Sequence, residues 1–430
     1  MALRPKPCHP AAHDHAVPCE SVSARMTGRT RKHLPVGTTA LFLCWMISCS
    51  GPCRANPSDE KNAEEDRDLW EYHLYLDMSY ANDLGGPKAT PWRFKQTTTR
   101  LNDFDPNMGM LYVEKSISKD SPWGMQFGIQ AGNDASAQES NWKRRTASDA
   151  IKHFGHANVS YQAIEGLTLT AGLMESFIGF ESMYAKNNPN YTRAWIADYS
   201  PYFLIGAGGH YIIDSDMSVR FFLVTDYNYL EFVNSLPKYA AQFAYRFSPG
   251  WTLRQNIFFG PEQEQTDLKY WLGFSDTELQ WQSDNLMIGW AYNFGTQQQA
   301  TNGQQAFWMG SALWARWQIS GPWSVAFRPE FFWDPDGLQT NVEQFIGALT
   351  LTTEYQLSLL DSSLAVRTEF RHDTSTDGAN SGFFNAAKQI PTEPPYMAGQ
   401  NLIFISVLWS YDNSFAKSYQ SINNTLRSPF

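Results

Sequence analysis

Five histidines follow residue 55, and they are the first candidates for chemistry: His73, His153, His156, His210 and His372. His153 and His156 stand three apart in a stretch that alternates apolar and polar residues. On a strand that spacing sends them to opposite faces, so a shared metal ion is not expected. His73 and Asp77 share one face of such a stretch and could orient each other as a base and its partner do, but no serine stands out to complete a nucleophilic set. Gly206-Ala207-Gly208-Gly209 is no phosphate-cradling loop; it reads as strand that lets something pack close, such as a loop above it. All five cysteines (Cys8, Cys19, Cys44, Cys49, Cys53) precede residue 56. No catalytic residue, metal or cofactor is expected, and the chain does not read as an enzyme. The other chemistry available is ionic, carried by Arg220, Arg246, Arg254, Arg316, Arg328, Arg367 and Arg371 with Glu330, Glu354 and Glu369.

What positions these charges is a rhythm running from Trp70 to Tyr411. Trp70, Tyr72, Leu74, Leu76, Met78 and Tyr80 share one face of a first strand, with Glu71, His73, Asp77 and Ser79 on the other. Trp123, Met125, Phe127, Ile129 and Ala131 repeat the pattern against Gly124, Gln126, Gly128, Gln130 and Gly132. This period of two belongs to strands, not helices. Continued, it predicts sixteen strands, at 70–82, 108–118, 123–132, 151–163, 167–174, 202–213, 217–229, 239–248, 251–260, 267–282, 285–294, 306–319, 323–334, 345–358, 364–373 and 401–411. Even-numbered strands end in tight turns such as Pro249-Gly250, Ser283-Asp284 and Gly321-Pro322, built from turn-favouring residues. Odd-numbered strands generally lead into longer polar connections, 261–266 alone being short. An even strand count with alternating short and long connections implies an all-β, transmembrane, antiparallel up-and-down β-barrel with both termini in the periplasm. Three positions disturb the pattern: Pro329 inside the thirteenth strand, Gln255 on the apolar phase of the ninth, and a tenth strand that is expected to break near Ser275.

The seven arginines all fall on the polar phase, as do Asp226, Glu330, Glu354 and Glu369. An arginine facing lipid at mid-membrane costs about 2–4 kcal/mol. Seven would exceed a typical domain's whole stability of about 5–15 kcal/mol. They must face water, and at that depth the water is in the lumen. Charges of both signs across a narrow lumen would order its water and favour polar solutes over apolar ones. The same charges could also pair to brace the wall.

The third external loop, 175–201, is aromatic for a segment in water: Phe177, Phe180, Tyr184, Tyr191, Trp195 and Tyr199 all ask for burial. Folding inward would supply it and would let Glu181, Lys186, Tyr191, Arg193, Trp195 and Asp198 narrow the pore. The stretch Asn188-Pro189-Asn190-Tyr191-Thr192-Arg193-Ala194-Trp195, followed by Ser200-Pro201-Tyr202 and the glycines at 206, 208 and 209, resembles the second, OmpL-like family of outer-membrane β-barrel porins. Asn256-Ile257-Phe258-Phe259-Gly260-Pro261-Glu262-Gln263 is similar to another block of that family. The resemblance implies a barrel that passes solutes, and it brings no defined binding residues with it.

Residues 1–55 read as an N-terminal extension and secretory signal that starts at Met26, with Arg29, Arg31 and Lys32 before an apolar core at 36–47 and a cleavage site ahead of Asn56. They hold seven basic and two acidic residues. Removing them from the 33 and 43 of the whole chain leaves 26 and 41, a net charge of −15 that argues against nucleic acid as a partner. Residues 56–68 form a polar periplasmic segment, 69–411 the barrel and 412–430 a tail. Mean hydropathy is negative, and past the N-terminal region no apolar run reaches helix-spanning length. The expectation is a porin of the Gram-negative outer membrane, passing small polar solutes or ions by diffusion, in contact with outer-membrane lipids and compatible with a homo-oligomer. Its rivals are a closed barrel whose external loops bind a partner and, less favoured, a barrel hydrolase using His73.

Overall fold

Sixteen strands close into one barrel in the computed structural model, which describes residues 70–85, 90–141, 151–227, 235–262, 268–299, 303–359, 362–377, 382–384 and 396–412. The strands are β1 (Trp70–Asp83), β2 (Asp103–Lys115), β3 (Trp123–Ala131), β4 (Phe154–Ile164), β5 (Leu167–Glu175), β6 (Phe203–Ile212), β7 (Met217–Val224) and β8 (Lys238–Ser248). They continue as β9 (Trp251–Pro261), β10 (Trp271–Gln282), β11 (Leu286–Gln298), β12 (Gln305–Ser320), β13 (Trp323–Asp334), β14 (Gln344–Leu359), β15 (Ser362–Ser375) and β16 (Gly399–Asp412). Each pairs antiparallel with its sequence neighbours, and β16 returns to β1 with Tyr75 opposite Ser410. Two short helices, α1 (Asn133–Asn141) and α2 (Trp195–Asp198), lie in the second and third long loops. The signal expected in 1–55 with its start at Met26, the segment 56–68 and the tail beyond Asp412 lie outside the described residues.

The period of two sorts the wall into two faces. On β1, Leu76 and Tyr80 are 46% and 44% exposed on the outside, while Asp77 and Ser79 are buried within. Outside, apolar side chains need no hydrogen bonds from lipid; inside, polar ones find them. Connections at one end of the barrel are short: 116–122, 165–166, 213–216, 249–250, 283–285, 321–322 and 360–361. Gly250, at φ +79°, shows why such a turn needs glycine: a Cβ there would sit 2.5 Å from the Gln282 carbonyl oxygen. Connections at the other end are mostly longer, the third running from 176 to 202.

Strand ends depart from expectation where the period is broken. The second strand begins five residues early, at Asp103 rather than Met108. Asp77 faces Met108 but Met78 faces Pro106, so Asn107 is bulged out of the ladder and the in-out phase flips across it. The fourth starts late because Ile151–His153 wind into a 3-10 turn. The seventh stops at Val224 because Thr225, Asp226 and Tyr227 turn inward and are buried. Asp226 is therefore not a strand residue; it pairs with Lys238. The tenth strand runs unbroken through Ser275. Outward-facing Gln255 donates to Ser275 Oγ at 3.0 Å and accepts from Thr277 Oγ1 at 2.8 Å, so its amide is satisfied within the wall. Pro329 keeps its place in β13: pairing to β14 continues through Pro329 and Leu349, and the ladder to β12 lapses at Leu313 and Trp314.

The interior is divided along the barrel axis. Toward the long loops it is packed. Asp77, Leu204, Asn256, Trp308 and Arg371, spread around the wall, are each 1% exposed or less. Toward the short turns lies a cavity of about 1540 Å3.

Candidate functional site: a loop folded across the bore

The third loop, 176–202, occupies the packed half. It leaves β5 through a turn in which the Ile178 amide donates to Ser176 Oγ at 3.0 Å. Gly179, at φ +95°, then donates its amide to Asp276 Oδ2 at 2.9 Å on the far wall. Phe180 lies flat on Trp314, ring centres 4.2 Å apart. Wall glycines make the seats for the loop's large side chains. A Cβ on Gly289 would stand 2.3 Å from Phe180 Cζ, one on Gly310 2.4 Å from Ile196 Cγ2, and one on Gly155 2.5 Å from Tyr184 Oη. The glycines at 206 and 208 do not seat the loop; Phe222 and Val224 of the neighbouring strand fill the space beside them.

Wall charges then hold the loop backbone. Glu369 accepts from the Tyr191 amide at 2.7 Å and the Thr192 amide at 3.1 Å. Glu330 accepts from the Trp195 amide, and Trp195 Nε1 donates to Asp373 at 2.9 Å. Arg328 donates to Glu181 Oε1 at 3.0 Å and Glu330 Oε1 at 3.1 Å, and also to the Thr192 carbonyl. Arg371 donates to the Arg193 carbonyl at 3.0 Å and to Asp373 at 2.9 Å. Arg367 donates to the Ala185 carbonyl at 2.9 Å. Tyr191 Oη donates to Asp77 at 2.9 Å. Every one of these side chains is almost wholly buried. Charges this dry persist only when paired and hydrogen-bonded, and here they are.

Arg328, Arg367, Arg371, Glu330 and Glu369 thus meet Glu181, Tyr191, Arg193 and Trp195 in one network. Asp198 joins from the loop's C-terminal end, where Tyr202 Oη donates to it at 2.9 Å. Other expected residues lie elsewhere. Arg220, Arg254, Arg316 and Glu354 line the cavity, with Arg316 and Arg367 each 2.6 Å from Glu354 and Arg254 3.2 Å from Glu278. Lys186 also faces the cavity, 3.8 Å from Asp412. Arg246 is exposed at the short-turn rim, 4.0 Å from Asp216, and belongs to neither group. His73 is oriented by Asp412 at 2.7 Å, not by Asp77.

Residues missed in the sequence complete the site. Lys95 and Thr97 of the first loop, 84–102, and Asp134 of α1 all contact the third loop. Lys95 pairs with Asp198 and Arg193 with Asp134, the latter at 3.0 Å. Burial outweighs the pull of the Arg193 guanidinium and pushes the Asp134 carboxyl up to about 7. Burial also lowers the Lys95 ammonium, against the pull of Asp198. The signal was present: Trp92 and Phe94 are as aromatic for a wet loop as the third loop's residues are.

The closed sixteen-stranded barrel agrees with the comparisons. The family model described as "Putative beta-barrel porin-2, OmpL-like" matches residues 71–408. The chain belongs to the OmpL-like porin family. As a porin of this family it is an outer-membrane protein. Its fold is similar to that of an anion-selective porin from Comamonas acidovorans, at 11% identity over 80% of this chain and 99% of that one, with a TM-score of 0.50. It is equally similar to OprB of Pseudomonas putida, at 8% identity over 83% and 97%, TM-score 0.50. OmpT of Vibrio cholerae matches at 7% identity over 80% and 97%, TM-score 0.50. At these identities the likeness is one of fold. A comparison with curated proteins returns no match.

Proposed function

We propose that this barrel lets small polar solutes or ions diffuse passively across the outer membrane, and that the third loop decides what passes. The observation that carries the reading is the loop itself, laid across the bore and tied to its wall by Arg328, Arg367, Arg371, Glu330 and Glu369. The long-loop end faces outward, in keeping with barrels of this kind. The cavity behind the loop then opens toward the periplasm. Its wall carries Arg220, Arg254, Arg316 and Arg367 interspersed with Glu114, Glu175, Glu278, Glu354 and Asp412. A polar solute meets both signs of charge there, and an apolar one gains little. Residues 26–55 serve as the secretory signal, with translation starting at Met26; N-terminal sequencing of the membrane form should begin at Asn56.

The packed outer half favours a second reading, a closed barrel that binds a partner through its external loops. Purified protein in a planar bilayer separates the two. On the porin reading the intact chain gives small ohmic steps, and deletion within 181–195, or Arg193→Ala, enlarges them. If neither the intact chain nor the deletion conducts in any salt, the porin reading is lost.

A further inference from the structure

We propose that residues Trp92–Thr98 of the first loop are the second jaw of the constriction, and that the passage opens by parting the seam between this segment and residues 193–199 of the third loop. Lys95 and Asp198 are then positioning residues that hold the jaws together. The inference rests on the porin reading above and adds to it where the gate is and which residues close it.

The seam is made of directed contacts along its whole length. The Lys95 ammonium is ion-paired with Asp198 and donates to the Arg193 carbonyl at 2.8 Å. Asp198 also accepts from Thr97 Oγ1 at 2.8 Å and from the Gln96 amide at 3.3 Å. Tyr199 Oη donates to the Phe94 carbonyl at 2.7 Å. Asp134 bridges the jaws, accepting from the Thr98 amide at 2.6 Å and from Arg193 at 3.0 Å. Trp92 meets Trp195 edge to face at 6.4 Å, and the Lys95 ammonium lies 4.9 Å from the Trp195 ring. Lys95 and Asp198 are fully shielded from solvent.

Three arguments place the opening here rather than on the wall side of the third loop. The wall contacts come mostly from β13, β14 and β15, which are joined to one another in continuous ladders. The first-loop segment belongs to no barrel ladder and is held to the wall through the side chain of Trp92, stacked on Phe404 of β16 at 5.5 Å with the Arg371 guanidinium 5.0 Å from its ring; behind it is a two-residue ladder, Thr90–Pro91 with Arg100–Leu101. Its backbone is also held out of the ordinary L-residue range, at φ +67° in Phe94 and +51° in Thr98. A β-branched residue at such an angle persists only while surrounding contacts impose it, so a parted seam relaxes away from closure. Finally, the Lys95–Asp198 pair is no bar to opening here, since a buried ion pair gains little over its separated, hydrated partners. A seam closed by such a pair is easily wetted and easily reformed, as a gate in water requires.

The test measures single-channel conductance of the purified full chain in planar bilayers, with heat-modified gel mobility as the check on folding. Lys95→Met and Asp198→Asn each strand a buried partner, and each should raise mean conductance at least twofold over the native chain. The swap, Lys95→Asp with Asp198→Lys, should return it to the native level, which a merely structural loss would not do. Thr97→Val removes one seam bond without changing charge and serves if a charge variant fails to fold; it should raise conductance in the same direction. Folded single variants with native conductance overturn the proposal, as does a swap as open as the singles. A deletion within 181–195 is measured alongside. If it conducts while the seam variants stay native, the seam alone is wrong. If nothing conducts, the porin reading falls and takes the seam with it.

Discussion

Arg328 has its guanidinium between Glu181 of the third loop and Glu330 of its own strand, all three side chains shielded from solvent. Replacing it by methionine keeps the volume and removes the charge, leaving Glu181 with Trp314 Nε1 and the Ala194 amide, and Glu330 with Arg371. Uncompensated buried charge is the dominant penalty in such a variant, about 3 kcal/mol. Urea unfolding of the liposome-embedded protein should show it as a lowered midpoint, and an unchanged midpoint would mean the network is slack. Asp134 gives the residue scale a pH test. Its carboxyl is raised by burial to about 7, above the value of about 3.9 of a hydrated carboxyl, to which a parted seam would return it, so the closed form binds the proton more tightly than the open one. Closure is therefore favoured in acid and weakens as pH climbs through about 7. Conductance of the native chain should be higher at pH 8 than at pH 5, and Asp134→Asn should level the profile; a profile the variant leaves unaltered would count against it. The arginines could be found in the sequence because strand phase assigns each a face and lipid forbids one of them. Lys95 and Asp134 sit in loops, where no period assigns a face, and so were not found.

The third loop is seated by elements that gave up side chains to receive it. Gly289 on β11 is the tightest seat, and Phe180 is held in it by its stacking on Trp314. Gly289→Ala puts a carbon where Phe180 Cζ now lies, an overpacking that costs about 1–3 kcal/mol. The ladder on both sides of β11 is continuous, so the loop yields before the wall does. The expected result is a folded barrel with larger conductance steps, restored toward native by Phe180→Ala in the same chain; native steps in Gly289→Ala would show the seat has slack. The sixteen strands were legible because each buries one face and greases the other. The starts and stops that were not legible share one cause. Asn107 flips the phase of β2, and Thr225–Tyr227 leave β7 for the interior, so the period of two breaks where the chain serves the plug rather than the wall. The glycines at 206 and 208 show the limit of composition: they answer to neighbouring Phe222 and Val224, while the seats that matter, at 155, 289 and 310, are single glycines that no local pattern marks.

At the scale of the molecule the barrel is a packed half joined to a hollow one, and the third loop is the boundary. The two halves should differ in access, and the chain allows the test because its five cysteines all precede residue 56. Ser358 lines the cavity near the short-turn end, whereas Thr350, on the same face of the same strand, is fully buried against Arg328. A membrane-impermeant thiol reagent added from the short-turn side should label Ser358→Cys quickly and Thr350→Cys hardly at all. From the long-loop side it should label neither quickly while the third loop is in place. Deleting part of 181–195 should expose Thr350→Cys from both sides and give the reagent a route from the long-loop side to Ser358→Cys. The order of these changes is what separates the possibilities. A loop that merely lines the bore would leave Ser358→Cys reachable from both ends in the intact chain. A barrel sealed by something other than this loop would keep Thr350→Cys protected after the deletion.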